Sequence, residues 1–148
     1  MTRLISWSVA LVIVAAAAHA EDKKEFDPAK VVGNWTYESG VVNGGKVDKD
    51  HLVGKVEFTK DTIVIPSGDK DKPFKMTYTI NVKHTPALLN MEIKDGPIKE
   101  GKAEGIISLD GDEMKIAYVV AGTGHKRPTK FESTKDSGVF LFVLKKAK

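Results

Sequence analysis

Apolar and polar residues alternate along most of the chain after residue 33. From residue 74 to residue 82 the apolar side chains occupy every second position, and lysine, threonine or asparagine fills the positions between them. A period of two is typical of a β-strand with one buried face. We expect the apolar face to point into the core.

The same alternation predicts eight strands in total. The residues expected to face inward are Trp35, Tyr37; Val56, Phe58; Ile63, Ile65; Phe74, Met76, Tyr78, Ile80, Val82; Leu89, Met91, Ile93; Gly105, Ile107, Leu109; Met114, Ile116, Tyr118, Val120; and Val139, Leu141, Val143. No segment with a helical period lies between them, so neighbouring strands should pair antiparallel as a meander. The fold predicted is all-β, an eight-stranded antiparallel up-and-down barrel, because closure removes exposed edges. A two-sheet sandwich stays open as an alternative, since it also buries one face of each strand.

The connections between the predicted strands are short at one end of the sheet and long at the other. The short ones are 60–61, 83–86 and 110–111, and the long ones are 43–52, 67–73, 95–102 and 121–138. A short N-terminal helical turn is expected at the closed end, because Asp27 is a favoured N-cap residue and Pro28 suits the first helical position. A plugged base and a mouth surrounded by loops are the layout of a barrel that holds a small ligand.

Residues 1–20 have the pattern of a secretory signal peptide. A basic start is followed by an apolar run and by small residues ahead of a cleavage site after Ala20. The alternative is an uncleaved membrane anchor, but the apolar run is shorter than the roughly 20 residues that a spanning helix needs. We expect a single domain of residues 21–148 that is secreted or periplasmic, monomeric, and free of the membrane after cleavage.

The composition argues against several kinds of site. The chain has no cysteine, which excludes disulfides, a thiol nucleophile and a cysteine metal site. Its 23 basic and 20 acidic residues are interleaved rather than gathered into one stripe, so nucleic acid is not an expected partner. His51, His84 and His125 lack the spacing of a zinc site, and no nucleophile motif or phosphate-binding loop is present. We expect no metal, no cofactor and no catalysis.

Gly33-Asn34-Trp35 at the start of the first strand is similar to the G-x-W signature of lipocalins. Together with four further segments, the mature chain resembles an exported, lipocalin-like domain of unknown function found many times in planctomycete bacteria. Those segments are residues 41–46, 105–112, 127–133 and 141–145. The resemblance implies the barrel fold and structural roles for Gly33 and Trp35, and it implies no particular activity. A second lipocalin motif is missing, and Arg127 is expected at the mouth, whereas the late arginine of lipocalins packs on the tryptophan at the closed end.

His125 and Arg127, with Lys126 between them, form the sharpest candidate binding site. At the mouth of an apolar barrel they can hold a carboxylate or phosphate head group, and arginine offers the bidentate geometry that anions prefer. The alternatives are a solvated loop, or an Arg127 that ties the loop down through carbonyl groups. The interior residues expected to line a binding site are Tyr78, Tyr118, Met91 and Ile107. The two tyrosine hydroxyls need partners, which are either a ligand or one another.

These features predict an exported barrel that binds a small, partly apolar molecule, with an anionic head group as one option. The alternative is a filled barrel that docks on another exported protein or on the cell envelope through its long loops. A void of a few hundred cubic ångströms would favour the first function. A packed interior with a contiguous apolar patch on the loops would favour the second.

Overall fold

The structure is a computed structural model that describes residues 26–67, 71–98 and 100–148. The predicted signal peptide lies outside these residues. The nine strands are β1 (Gly33–Val42), β2 (Gly45–Lys46), β3 (Lys55–Phe58), β4 (Thr62–Ile65), β5 (Phe74–Asn81), β6 (Ala87–Asp95), β7 (Lys102–Asp110), β8 (Glu113–Val120) and β9 (Phe140–Lys146). Two single 3-10 turns, Pro28–Val31 and Lys49–His51, complete the secondary structure of this part of the chain. Neither turn has the length or the apolar character to cross a membrane.

The strands form one closed antiparallel sheet. From β3 to β9 each strand pairs with the next one along the chain, and β1 pairs with both β3 and β9. The β1–β9 pairing extends from Trp35 opposite Lys146 to Val42 opposite Phe140, so the sheet closes along most of β1. The two-residue β2 only continues β1 as a hairpin. The predicted eight-stranded up-and-down barrel is therefore confirmed, with one short strand added, and the sandwich is excluded.

The closed end of the barrel is filled by side chains and by the first 3-10 turn. Asp27 caps this turn by accepting a hydrogen bond from the backbone N–H of Ala29 at 3.0 Å, and Pro28 begins the turn, both as predicted. Val31 and Trp35 are completely buried. The indole Nε1 of Trp35 donates to the carbonyl oxygen of Val31 at 2.8 Å, which fixes the turn against the base of the barrel.

A lysine from the last strand covers the same tryptophan. The Nζ of Lys146 lies 5.9 Å from the centroid of the Trp35 ring, within the range of a cation–π contact. The residue that covers Trp35 is therefore Lys146 and not Arg127. Gly33, beside Lys146, has a φ of 139°, a conformation that favours glycine.

The face of β9 that points into the barrel is the opposite of the one predicted. Phe142 packs against the interior cluster, whereas Val139 and Leu141 pack in a separate cluster on the outer surface. The expectation that Val139, Leu141 and Val143 face inward is therefore wrong. Residues 139–144 are apolar at every position, so alternation does not distinguish the two faces of this strand.

The segment between β8 and β9, called the strap here (residues 121–139), lies against the outside of the barrel. Phe131 of the strap packs on an apolar cluster contributed by four neighbouring strands and by the end of the strap. Its other members are Leu88, Ile106, Ala117, Val119, Val139 and Leu141. The long loop expected at the mouth instead buries the outer face of β6 to β9, which explains why β9 is apolar on both faces.

Hydrogen bonds join the end of the strap to the turn between β1 and β2. The Oγ of Ser133 accepts from the backbone N–H of Gly44 at 3.0 Å, and the Oδ1 of Asn43 accepts from the backbone N–H of Gly138 at 2.9 Å. Asn43 and Gly44 both have positive φ, 51° and 80°, as a two-residue hairpin turn requires. A Cβ on Gly44 would lie 2.5 Å from the backbone nitrogen of Lys135, so the close approach of the strap depends on this glycine.

Candidate functional site

The barrel is hollow at the end that carries the long connections. A cavity with a volume of about 490 Å³ opens there, and most of its lining is apolar. Residues from the 43–54, 66–73 and 96–101 connections surround its mouth. The strap contributes none of its described residues to the lining. The predicted open mouth is thus present, but the longest loop is not part of it.

One wall of the cavity is aromatic. The aromatic wall consists of Tyr37 on β1, Tyr118 on β8, and Phe140 and Phe142 on β9. The ring of Phe142 lies between the two tyrosines, with centroids 5.5 Å from Tyr37 and 6.3 Å from Tyr118. Tyr118 and Phe140 stack with centroids 5.1 Å apart and planes within 5° of parallel. Three adjacent strands therefore present a continuous ring surface to the cavity.

The facing wall is mainly aliphatic and thioether in character, with one aromatic ring. It is formed by the inward residues of β4, β5 and β6, which lie across the ring of eight strands from β8, β9 and β1. These residues are Ile63, Ile65, Phe74, Met76, Met91 and Ile93. Methionine is flexible and polarisable, so this wall can adapt its shape to a bound molecule.

Tyr37 and Tyr118 bring the polar atoms of the aromatic wall. Within the described part of the chain, neither phenolic oxygen has a hydrogen-bond partner in the protein. Neither oxygen is fully enclosed by protein, because no fully buried side-chain N or O atom in that part of the chain lacks a partner. Both hydroxyls therefore reach the accessible space of the cavity.

Burial keeps both phenols protonated. Desolvation raises the pKa of Tyr37 to about 12. Desolvation, and after it the charge on a deprotonated Tyr37, raises the pKa of Tyr118. Removing a proton would place a negative charge in an apolar cavity, which is unfavourable. Each side chain is therefore a neutral O–H donor at physiological pH.

The remaining interior residues of the predicted site divide between the cavity and the closed end. Tyr118 and Met91 line the cavity, whereas Tyr78 and Ile107 do not. The Tyr78 hydroxyl donates to the carbonyl oxygen of Thr59, and its ring packs edge-on against Phe58 with centroids 5.7 Å apart. Tyr78 thus holds the closed end together, and its hydroxyl does not bond to Tyr118.

Arg127 does not lie at the mouth, which corrects its predicted location. Its Nη1 donates to the carbonyl oxygens of Gly105 at 2.9 Å and Leu89 at 3.3 Å, and its Nη2 donates to the Oδ1 of Asn90 at 2.7 Å. The guanidinium thereby fixes the strap to β6 and β7 through carbonyl groups, as the structural alternative for this residue supposed. Because protein acceptors already occupy the Nη donors of Arg127, its guanidinium is not free to bind an anion.

His125 also lies on the strap and not in the cavity. Its imidazole packs directly on Gly138, where an added Cβ would lie 2.4 Å from the ring. His125 is otherwise exposed and is not among the cavity-lining residues. Neither member of the predicted anion site therefore lines the cavity.

The mouth of the cavity is apolar with two basic residues. Val53, Ile98 and Val120 line it and are 63%, 55% and 38% exposed. His51 and Lys102 contribute to the same lining. The hydrogen bond and the charge of Lys94, and to a smaller extent the charge of Lys102, lower the pKa of the exposed Glu92 carboxyl.

Apart from the phenols, His51 and Lys102 are the only titratable residues that the described lining contains. No charged or polar residue is buried in residues 26–67, 71–98 and 100–148. The same residues contain no group of three or more His, Asp or Glu side chains that could hold a metal ion. The two walls offer apolar contact, ring contact and hydrogen-bond donation.

Comparison of the chain with known protein families, with curated proteins and with solved structures returns no match. The structure shows the barrel fold, whereas the resemblance to a lipocalin-like domain stays a prediction.

The lining also includes residues that sequence reasoning did not place in the site, chiefly Tyr37, Phe140 and Phe142. The alternation predicts Tyr37 to face inward without placing it in the site, and on the last strand it predicts Leu141 and Val143 inside rather than Phe140 and Phe142. The sequence contained a usable signal for Tyr37. On a strand, Tyr37 shares the inward face with Trp35 and lies two residues farther toward the open end.

Proposed function

We propose that this protein binds one small, largely apolar molecule inside its barrel. The observation that carries the proposal is the 490 Å³ cavity with the aromatic wall on one side. Ligand pockets have volumes of about 300–1,000 Å³ and are lined mainly by hydrophobic and aromatic side chains with a few polar groups. The cavity agrees with this description in size, lining and access.

The driving force would be the removal of apolar surface from water. Each buried square ångström of apolar surface contributes on the order of 25 cal/mol, so a ligand that covers both walls gains several kcal/mol before the cost of association. The two methionines of the facing wall allow ligands of somewhat different shape. We propose binding and not catalysis, because the groups that face the cavity are suited to contact and hydrogen bonding.

An anionic head group has less support than the sequence indicated. Arg127, its main predicted partner, is engaged by Leu89, Gly105 and Asn90. A carboxylate or phosphate would have to stay at the mouth, next to Lys102 and His51, while its tail enters the barrel. We therefore propose a ligand whose buried part carries no charge.

Docking through the loop end is the second candidate function. It is favoured by the exposed apolar side chains of Val53, Ile98 and Val120 around the mouth. Exposed apolar patches of this kind mark interaction surfaces in many proteins. This alternative was predicted together with a filled interior, and the cavity does not agree with that part of it. Docking would therefore be a function of a barrel that is hollow.

Native mass spectrometry of the protein purified from the organism that makes it tests the binding proposal. We expect a bound species of small mass that is lost on mild denaturation. A second arm titrates the protein with the neutral fluorophore N-phenyl-naphthylamine, for which we expect saturable binding of one molecule per chain. Ligand-free protein together with no saturable signal would contradict the proposal and favour docking.

We also propose that the mature domain is exported after removal of residues 1–20. The N-terminal pattern supports this location. N-terminal sequencing of the protein from its natural source should begin at Glu21. Recovery of chains that begin at Met1 would contradict export by cleavage.

A further inference from the structure

The aromatic wall contains two hydroxyl groups that the protein leaves without an acceptor, and these groups define a ligand class. We infer that Tyr37 and Tyr118 recognise an uncharged hydrogen-bond acceptor, such as the carbonyl group of a ketone or ester, on an otherwise apolar ligand. The inference rests on the proposed function, because it concerns the ligand of the same cavity.

The three tyrosines of the chain differ in whether the protein supplies an acceptor for their hydroxyls. At the closed end, the Tyr78 hydroxyl donates to the carbonyl oxygen of Thr59. Within the described residues, Tyr37 and Tyr118 have ring contacts but no acceptor for their hydroxyl protons. Because both hydroxyls face the accessible space of an apolar cavity, a bound molecule can supply the acceptor that the protein does not.

The acceptor is uncharged because, among the described residues, no cation contacts either hydroxyl through a hydrogen bond. None of the buried residues in the described chain is charged. His51 and Lys102 are the basic residues of the lining, and Lys102 belongs to the open end, where β7 begins. A carboxylate moved to the aromatic wall would lose its hydration without gaining an ion partner, which is strongly disfavoured. A carbonyl group needs only the O–H donors that the wall supplies.

The facing wall determines the orientation of the ligand. Ile63, Met76 and Met91 present carbon and thioether groups, which are weak or absent hydrogen-bonding partners. The apolar part of the ligand therefore lies against this wall, and its acceptor points toward the tyrosines.

A matched set of three probes tests the inference: methyl nonyl ketone, undecane and undecanoate. They share one chain length and differ in the presence of an acceptor and of a charge. Each displaces N-phenyl-naphthylamine from the wild-type protein and from the Tyr37→Phe, Tyr118→Phe and Tyr78→Phe variants. The last variant is the control, because it removes the same atom from a tyrosine that does not line the cavity.

We expect Tyr37→Phe and Tyr118→Phe each to weaken ketone binding by roughly three- to tenfold, which is the effect of losing one hydrogen bond. Undecane binding should stay within about twofold of wild type, because an alkane makes no such bond. The melting temperature of both variants should not fall, since neither hydroxyl has a protein partner to lose. Tyr78→Phe should lower the melting temperature and leave the ratio of ketone to undecane affinity unchanged.

Each other outcome has a definite meaning. If fluorophore and undecane bind but both tyrosine variants bind ketone like wild type, the inference is overturned and the proposed function stands. If neither the fluorophore nor the uncharged probes bind, the proposed function itself fails. If undecanoate binds more tightly than the ketone and Lys102→Met weakens it, the head group is recognised at the mouth and the inference is overturned.

Discussion

The closed and open halves of the barrel share the same strands but differ in how their interiors are filled. At the closed end, Trp35 contacts Val31 of the 3-10 turn, and both side chains are completely buried. At the open end, two small residues line the cavity, Gly101 just before β7 and Ala103 within it. Alternation brings side chains inward in both halves, and their volumes decide whether a core or a cavity results.

The two halves also use their tyrosines differently. The hydroxyl of Tyr78 is satisfied by a backbone carbonyl at the closed end. The hydroxyls of Tyr37 and Tyr118 face the cavity without a protein partner in the described chain. The comparison separates a half that contributes stability from a half that is available for binding, and the following substitutions test that separation.

Trp35→Ala should give the largest loss of stability. The substitution removes a fully buried ring, its bond to Val31 and its contact with Lys146. Large aromatic side chains in a core cost about 3–5 kcal/mol when reduced to alanine. Urea unfolding at equilibrium measures the loss. The control is Phe140→Ala in the aromatic wall, where the ring already borders open space and the loss should be smaller. An equal loss for both variants would mean that the open half is also packed.

A pair of alanine-to-leucine substitutions should distinguish the halves most directly. Ala87→Leu adds volume to the filled core, where overpacking costs about 1–3 kcal/mol. Ala103→Leu adds the same atoms to the cavity, so stability should stay constant or rise by up to about 1 kcal/mol as apolar surface is buried. Binding of N-phenyl-naphthylamine should weaken only for Ala103→Leu among variants that remain folded. Similar destabilisation by both substitutions would contradict a preformed cavity.

Arg127→Ala should destabilise the protein by about 1–3 kcal/mol, because charge-assisted bonds to Leu89, Gly105 and Asn90 are lost. Binding of methyl nonyl ketone should not change, since Arg127 is not in the lining. The control is Lys126→Ala, an exposed neighbour whose replacement should have almost no effect. Unchanged stability combined with weaker undecanoate binding would restore the anion role that the sequence indicated.

High pH should weaken the open half through its tyrosines. The pKa of Tyr37 is raised from 10.0 to about 12, so folding favours the protonated form. The resulting stability is complete below pH 10 and is lost between pH 10 and 12, because the unfolded chain releases its proton first. Urea midpoints measured from pH 8 to pH 12 should fall above pH 10, and Tyr37→Phe should reduce the fall. A midpoint that is constant through pH 12 would contradict this expectation.

Much of the fold could be predicted from the sequence, whereas the site could be predicted only in part. The strand alternation, the Asp27 cap and the short connections are local patterns, and the structure confirms them. Tyr118 and Met91 were placed in the lining by the same alternation. Arg127 could not be placed, since a loop of that length has no local pattern that chooses between the mouth and the outer surface.

The amino-acid sequence by itself determined a closed meander with one tight end and one end of long connections, because period-two alternation and turn residues act between near neighbours in the chain. Only the tertiary structure decided which face of β9 is inside, since residues 139–144 are apolar throughout. It also decided that the strap covers the outer surface and that the open half stays hollow. Those outcomes depend on how side-chain volumes from distant strands fill a shared space, and no local pattern encodes that sum.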